Sequence, residues 1–409
     1  MEKSFFRANR RALCKKIEGD FVAVFSTGYA VNMSADENYP FRANANCYYL
    51  SGITQKDVYL VLVRNGEAYT EYLYIDEYDE MHAKWVGHTL TPREASECSG
   101  VPVKYIRGRQ KFEEDMKALL QGVTLYLDLE TKKNTNFSSF GLSMQEKYAD
   151  VCCVKDAYPL IVELRFAKKP CEVEEIEKAI SVTKKGIEAL MRKSCPSMKE
   201  YELEAYFDFV LKSEGQHDHA FTTIAASGLN ATTLHYSDNN TEMQDGELVL
   251  FDLGAKNCGY SADISRTFPV NGKFTPLQKT VYEIVLSANK KVESVARSGM
   301  TMGDLQKVCI ETLAEGCLAA GLIKEKEEIR RVYFHGVSHS LGLDTHDPCP
   351  RNAPLPVGAV ITNEPGLYFP EHKIGIRIED DLLITKTGCV NLSADIIKEV
   401  ADIEAFMAK

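Results

Sequence analysis

The stretch LVLFDLGAKNCGYSADISRTFP, residues 248–269, reads as two strands folded back on each other. Each arm is a short apolar run carrying one acid, Asp252 in the first and Asp263 in the second. With the turn centred between Asn257 and Cys258, the two acids fall directly opposite one another. Opposed residues of an antiparallel pair share a face, with Cβ atoms about 4.5–5.5 Å apart, and two like charges there are destabilising unless a cation lies between them.

A second such stretch is VITNEPGLYFPEHKIGIRIEDDLLI, residues 360–384. Its centre lies between Glu371 and His372, which sets Glu364 opposite Glu379; Pro365 calls for a bulge or an early end in the first arm. Taken singly, each acid reads as an exposed strand residue or half of an ion pair. Four of them in two mirrored pairs read as metal ligands. Between the two stretches lies HGVSHSLGLDTHD, with His335, His339 and His346 among glycines that allow close backbone approach. These imidazoles read as metal ligands or as hydrogen-bonding partners of ligands. Carboxylates with an imidazole form a hard, oxygen-rich set suited to a pair of Mn²⁺, Co²⁺ or Zn²⁺ ions rather than to a thiolate zinc site.

Other chemistries find no support. Gly254 and Gly259 have the glycine spacing of a phosphate-binding loop, but Tyr260 stands where its lysine is required. There is no G-x-S-x-G elbow, no H-E-x-x-H helix and no G-x-G-x-x-G after a strand, so no protein nucleophile is indicated.

The chain has 409 residues, 44% hydrophobic and 26% charged, which suits two globular domains and excludes a disordered chain. A net charge of −11 without a basic stripe argues against nucleic acid as a partner. No apolar run approaches the roughly 20 residues needed to span a bilayer, so no membrane is expected. The N-terminus has no signal-like apolar segment, and none of the twelve cysteines is in C-x-x-C spacing. A reduced, cytoplasmic protein is expected.

The first third alternates strand and helix patterns. A basic N-terminal helix leads to a strand at Phe21–Ser26. Runs at 57–64 and 68–75 flank Asn65-Gly66, a hairpin signal. A helix at 110–120 and a strand at 123–127 follow. A long helix is predicted from Glu172 to Met191, with acids in its first turns and bases at its end. The boundary is placed near residue 160, giving domains 1–160 and 161–409. No internal repeat is visible.

These residues resemble the metal-dependent peptidases of the pita-bread fold, and within them Xaa-Pro aminopeptidase (aminopeptidase P). The runs that carry the resemblance are SGLNATTLHY, GYSADISRTFPVNGKFT, HGVSHSLGLDTHD, ITNEPGLY and GIRIEDDLLIT, together with SADENYPFRANANCYYLSGI near the N-terminus. The resemblance implies an α+β pita-bread catalytic domain behind an α/β creatinase-like auxiliary domain. It implies five metal ligands, Asp252, Asp263, His339, Glu364 and Glu379, holding two divalent ions, Mn²⁺ foremost and Co²⁺ or Zn²⁺ as alternatives. The implied reaction removes the N-terminal residue from peptides with proline second, through attack of a metal-bridging hydroxide. Glu364 would shuttle the proton, His346 and His335 would stabilise the tetrahedral intermediate, and His235 and Arg377 would seat the proline residue. Relatives with this auxiliary domain imply a homo-oligomer, a dimer or tetramer. Ala43, Ala45, Cys47 and Thr345 depart from the family pattern outside the ligand set. Prolidase, limited to Xaa-Pro dipeptides, shares the ligand set and is the nearest alternative. A catalytically silent binding scaffold of the same fold would have lost ligands, and all five are present here.

Overall fold

The computed structural model describes residues 1–130 and 136–408 of the chain. It contains two compact units, Met1–Leu164 and Arg165–Lys409.

The first unit is built on a six-stranded mixed sheet. Its strands lie in the order Ile106–Gly108, Ala68–Ile75, Tyr59–Asn65, Phe21–Ser26, Thr124–Leu127, Val154–Asp156. Phe21–Ser26 is central, antiparallel to Tyr59–Asn65 and parallel to Thr124–Leu127. Its unbroken apolar run suits a strand covered on both faces. Val22 and Val24 pack with Phe112, Met116, Leu120, Met144 and Tyr148. Strand alternation turns Phe21, Ala23 and Phe25 to the other face, and all three are buried. The hairpin turn comes one residue later than the Asn65-Gly66 signal implies. Asn65 pairs with Ala68, so Gly66 and Glu67 form the loop, and Gly66 takes the positive φ of 58°.

The second unit repeats one arrangement twice along the chain. Helices Pro170–Lys193 and Glu200–Ser213 precede an antiparallel sheet of Ile224–Ser227, Leu248–Leu253 and Ile264–Pro269. Helices Pro276–Val295 and Met302–Ala319 then precede a sheet of Val360–Asn363, Asp380–Ile384 and Cys389–Asn391. The first helix extends the predicted 172–191 by about a turn, because Pro170 sits comfortably in a first turn and the Glu172 carboxylate accepts the Lys169 N–H. Thr275 with Gln278, and Thr301 with Asp304, form capping boxes that start the second pair. This twofold recurrence is invisible in the sequence because the two halves share element order rather than residues.

No helix among the described residues is long and apolar enough to cross a membrane, and no disulfide joins the described cysteines.

Candidate active site

The first hairpin departs from the expected register. Asp252 pairs with Ser265 and Leu253 with Ile264, while Asn257 pairs with Tyr260. The turn is therefore Cys258-Gly259, with φ of 47° and 86°. Two positive φ values are what a tight primed hairpin turn requires, and Gly259 supplies the second without strain. The expected face-to-face pairing of Asp252 with Asp263 is thus wrong by two residues. Because strand side chains repeat every two positions, the slip leaves both acids on the same face as diagonal neighbours. Gly254 makes the neck of this hairpin narrow: a Cβ there would lie 1.9 Å from the carbonyl oxygen of Ala262.

The second hairpin keeps the counted register, with Asn363 paired to Asp380 and Gly366 to Arg377. Between these pairs the ladder is interrupted where Pro365 lacks an N–H, although the Ile378 N–H still reaches the Pro365 carbonyl at 3.2 Å. Glu364 and Glu379 sit at this break. The Glu379 N–H instead donates to the Ser265 carbonyl of the first hairpin at 3.1 Å, and the Glu364 N–H donates to Val337 O in the histidine-rich segment at 2.9 Å. Arg266, fully buried, binds Asp380 at 2.8 Å and also donates to the Glu379 carbonyl. The interruption therefore draws the four acids together.

His339 is locked to the second sheet, its N–H on Thr362 Oγ1 and its carbonyl taking the Thr362 N–H, each at 3.0 Å. Its Nδ1 faces the Ser340 carbonyl at 3.1 Å. A carbonyl only accepts, so Nδ1 carries the proton and Nε2 offers its lone pair. That Nε2 lies 3.2 Å from Asp263 Oδ2 and 3.6 Å from Glu364 Oε1. Ligand atoms of Asp263, His339 and Glu379 all fall within 4.8 Å of one another.

Electrostatically this is a crowded set. Burial, reinforced by the charge of Asp252, raises the Asp263 carboxyl well above its ordinary value. Glu379 is raised likewise by burial and then by Asp263 and Glu364. Burial lifts Glu364 to about 7, with His339 and Arg377 opposing. Asp252 accepts from Arg377 Nη2 at 2.6 Å through Oδ2, while its buried Oδ1 faces no hydrogen-bond donor. Buried oxygens that repel each other, one of them undonated, together with an imidazole lone pair aimed among them, fit divalent cations.

Around the ligand set, Arg377 is 3% exposed. Its guanidinium donates to Asp252, to Ser265 Oγ at 2.7 Å and to Tyr368 OH at 3.2 Å. The Ser265 hydroxyl in turn donates to Glu379 Oε2 at 2.8 Å. Arg377 thus organises ligands on both hairpins. His335 differs from expectation. Its Nδ1 donates to the Gly336 carbonyl at 2.8 Å, leaving Nε2 to accept from Tyr368 OH at 2.9 Å. Burial and then the Arg377 charge lower its pKa to about 4, so it is neutral near pH 7. A neutral imidazole engaged at both nitrogens has no N–H left for a substrate oxygen. His346 is exposed, its ring 4.2 Å from that of His339. His235 is exposed and near enough to His335 to disfavour its protonation.

Ser265, Tyr368 and Asp381 were not singled out in the sequence. Asp381 accepts the Asp263 N–H at 3.3 Å. A signal existed for two of them: Asp263 and Ser265, like Glu379 and Asp381, are two apart on a strand and share a face.

A model of the metallopeptidase family M24 matches residues 174–386, and a model of the aminopeptidase P N-terminal domain matches residues 6–126. The chain is 32% identical to an Xaa-Pro aminopeptidase of Escherichia coli, over 98% of this chain and 97% of that one. Among solved structures, a candidate aminopeptidase P from Bacillus anthracis superposes with a TM-score of 0.95 at 45% identity, covering 100% of this chain and 98% of the other. A low-pH form of E. coli aminopeptidase P gives a TM-score of 0.92 at 31% identity, with the same coverage. The chain belongs to the metallopeptidase family M24 and is a metal-dependent peptide hydrolase with an aminopeptidase P N-terminal domain ahead of its catalytic unit.

Proposed function

We propose that the chain removes the N-terminal residue from peptides with proline in second position, using two divalent metal ions. The observation that carries the metal part is the convergence of Asp263, Glu364 and Glu379 on the His339 lone pair, with Asp252 beside Asp263. Asp252, Asp263, His339, Glu364 and Glu379 would hold the ions, with Mn²⁺ foremost and Co²⁺ or Zn²⁺ also suited to this donor set. Bound there, such ions acidify water toward neutral pH and polarise the scissile carbonyl. The proline specificity is supported by the Xaa-Pro aminopeptidases that the chain resembles from end to end.

Glu364 is the proton carrier in this reading, taking a proton from the attacking water and returning it to the leaving nitrogen. His346, exposed beside His339, donates to the carbonyl oxygen as it becomes tetrahedral. His235 seats the proline residue. His335 and Arg377 act through Tyr368 and Asp252, holding them in place. One metal ion, or a nearby acid, would hold the substrate's free α-amine, which would make the enzyme an exopeptidase. The same resemblance supports a cytoplasmic homo-oligomer, a dimer or tetramer.

The test is hydrolysis by metal-stripped protein with Mn²⁺ restored, using an Xaa-Pro dipeptide and an Xaa-Pro-Yaa tripeptide. Metal-dependent cleavage of the tripeptide, lost in Asp263→Asn, is expected. Cleavage of the dipeptide alone would instead make the enzyme a prolidase.

A further inference from the structure

His235 lies in an irregular stretch. The chain leaves the strand Ile224–Ser227, makes the short helical turn Gly228–Thr232, and has no regular element again before Leu248. A side chain on such a segment can be aimed only by whatever anchors the segment on both sides. The helical turn itself is seated on the strand Ile374–Arg377, since a Cβ on Gly375 would lie 2.0 Å from the carbonyl oxygen of Ala231. Asn239 ties the later part of the segment back to the strand, accepting the Ala225 N–H at 3.1 Å and donating to the Thr223 carbonyl at 2.9 Å. The anchors nearest His235 on its two sides meet on one buried carboxylate, Glu200, at the start of the helix Glu200–Ser213.

Its two oxygens divide the work. Oε1 accepts the Ser227 N–H and the Ser227 hydroxyl, both at 2.7 Å, and the Asn230 side-chain amide at 3.1 Å. Oε2 accepts the Tyr236 hydroxyl and the Thr241 N–H, both at 2.9 Å. The Glu200 N–H in turn donates to the Thr241 carbonyl at 3.0 Å. One oxygen therefore fastens the chain before His235, and the other fastens it after, through the residue immediately following the histidine. Five donors meet a group that only accepts. A glutamine of the same shape would have to present an NH₂ to one of the two donor sets, whichever way its amide was turned.

We propose that Glu200 is the positioning residue for His235, fixing the imidazole over the site by clamping both flanks of the segment that carries it. This rests on the reading of His235 as a group that seats substrate. Glu200 touches no reacting atom. Its effect is transmitted through Tyr236 and Ser227, and misplacing a seating group by about 1 Å is enough to cost roughly 10²-fold in rate.

The test is a double-mutant cycle on the Mn²⁺-loaded enzyme, well below its melting temperature, with an Xaa-Pro-Yaa tripeptide. His235→Ala alone is expected to lower kcat/KM. Glu200→Gln alone is expected to lower it about as much, to within roughly threefold, and to add little in the His235→Ala background, as residues acting as one unit do. Tyr236→Phe removes one bond of the clamp and should show a smaller loss of the same kind, which keeps the question answerable if Glu200→Gln folds poorly. In ¹³C-histidine-labelled protein loaded with diamagnetic Zn²⁺ in place of Mn²⁺, the His235 ring resonance should shift or broaden in both clamp variants. Losses that multiply across the cycle, with an unmoved His235 resonance, would reduce Glu200 to a structural role. An unaltered kcat/KM in His235→Ala would overturn the substrate-seating reading itself, and this proposal with it.

Discussion

Arg377 Nη2 and Asp252 Oδ2 lie 2.6 Å apart, the one close pairing of a full positive charge with a carboxylate of the ligand set among the described residues. The same guanidinium reaches Ser265 and Tyr368, so one cation orients groups on both hairpins. Arg377→Ala should therefore weaken the metal-free protein more than the metal-loaded one. Breaking a buried pair costs about 3–5 kcal/mol, and bound cations would replace much of the lost positive charge. Thermal unfolding with and without Mn²⁺ checks this: the melting point should fall further in the metal-free variant, and Arg377→Lys, which lacks the planar fork, should restore only part of it.

Removing a ligand should have the opposite sign. Asp263 and Glu379 are buried among like charges, so Asp263→Asn should leave the metal-free protein as stable as the parent or more so, by about 1–2 kcal/mol. The stabilisation conferred by Mn²⁺ should shrink at the same time. Urea unfolding of both proteins, with and without metal, measures both quantities. A loss of metal-free stability on this substitution would contradict the crowding argument.

A third expectation concerns the segment that carries His339 and His346. Asp347 is buried against Arg165 at 2.6 Å and Lys168 at 3.0 Å, and its N–H donates to the Ser340 carbonyl at 2.8 Å. Burial alone would raise its pKa, but the Arg165 and Lys168 charges outweigh it and hold the carboxyl below the ordinary range. The folded value is depressed, so the stabilisation is complete above the unfolded value of about 4 and is lost as pH falls through the folded one. Asp347→Asn should cost about 3–5 kcal/mol at pH 7, and its deficit relative to the parent should narrow below about pH 4. Chemical unfolding across pH 3–7 gives the curve.

The histidines should separate by kinetics. His346→Ala removes a donor to the developing charge and should lower kcat by about 10²–10³-fold with little change in KM. His335→Gln and Tyr368→Phe interrupt one shared hydrogen-bonded chain, so their combined effect should fall short of the product of the single ones. Steady-state kinetics on the tripeptide decides between these patterns.

Much of the site is legible in the sequence. The second hairpin could be counted outward from its turn, and Pro365 marked where the ladder breaks. The first could not, because its register depends on which pair of residues takes positive φ, and Gly259 moves that pair one step beyond Asn257-Cys258. Alternation kept Asp252 and Asp263 on one face in spite of the slip. The partners of the ligands were harder to see: Tyr368 and Ser265 matter through single hydrogen bonds to Arg377 and Glu379 that depend on how two sheets meet. The engagement of both His335 nitrogens was equally hidden, since one partner is a backbone carbonyl.

The most direct measurement is the number of Mn²⁺ ions bound per chain, by titration calorimetry of metal-stripped protein with tripeptide hydrolysis followed in parallel. Two equivalents, with Asp252→Asn reduced to one or none and inactive, are expected. One equivalent at full activity, or two that survive loss of Asp252, would contradict a centre built from both hairpins.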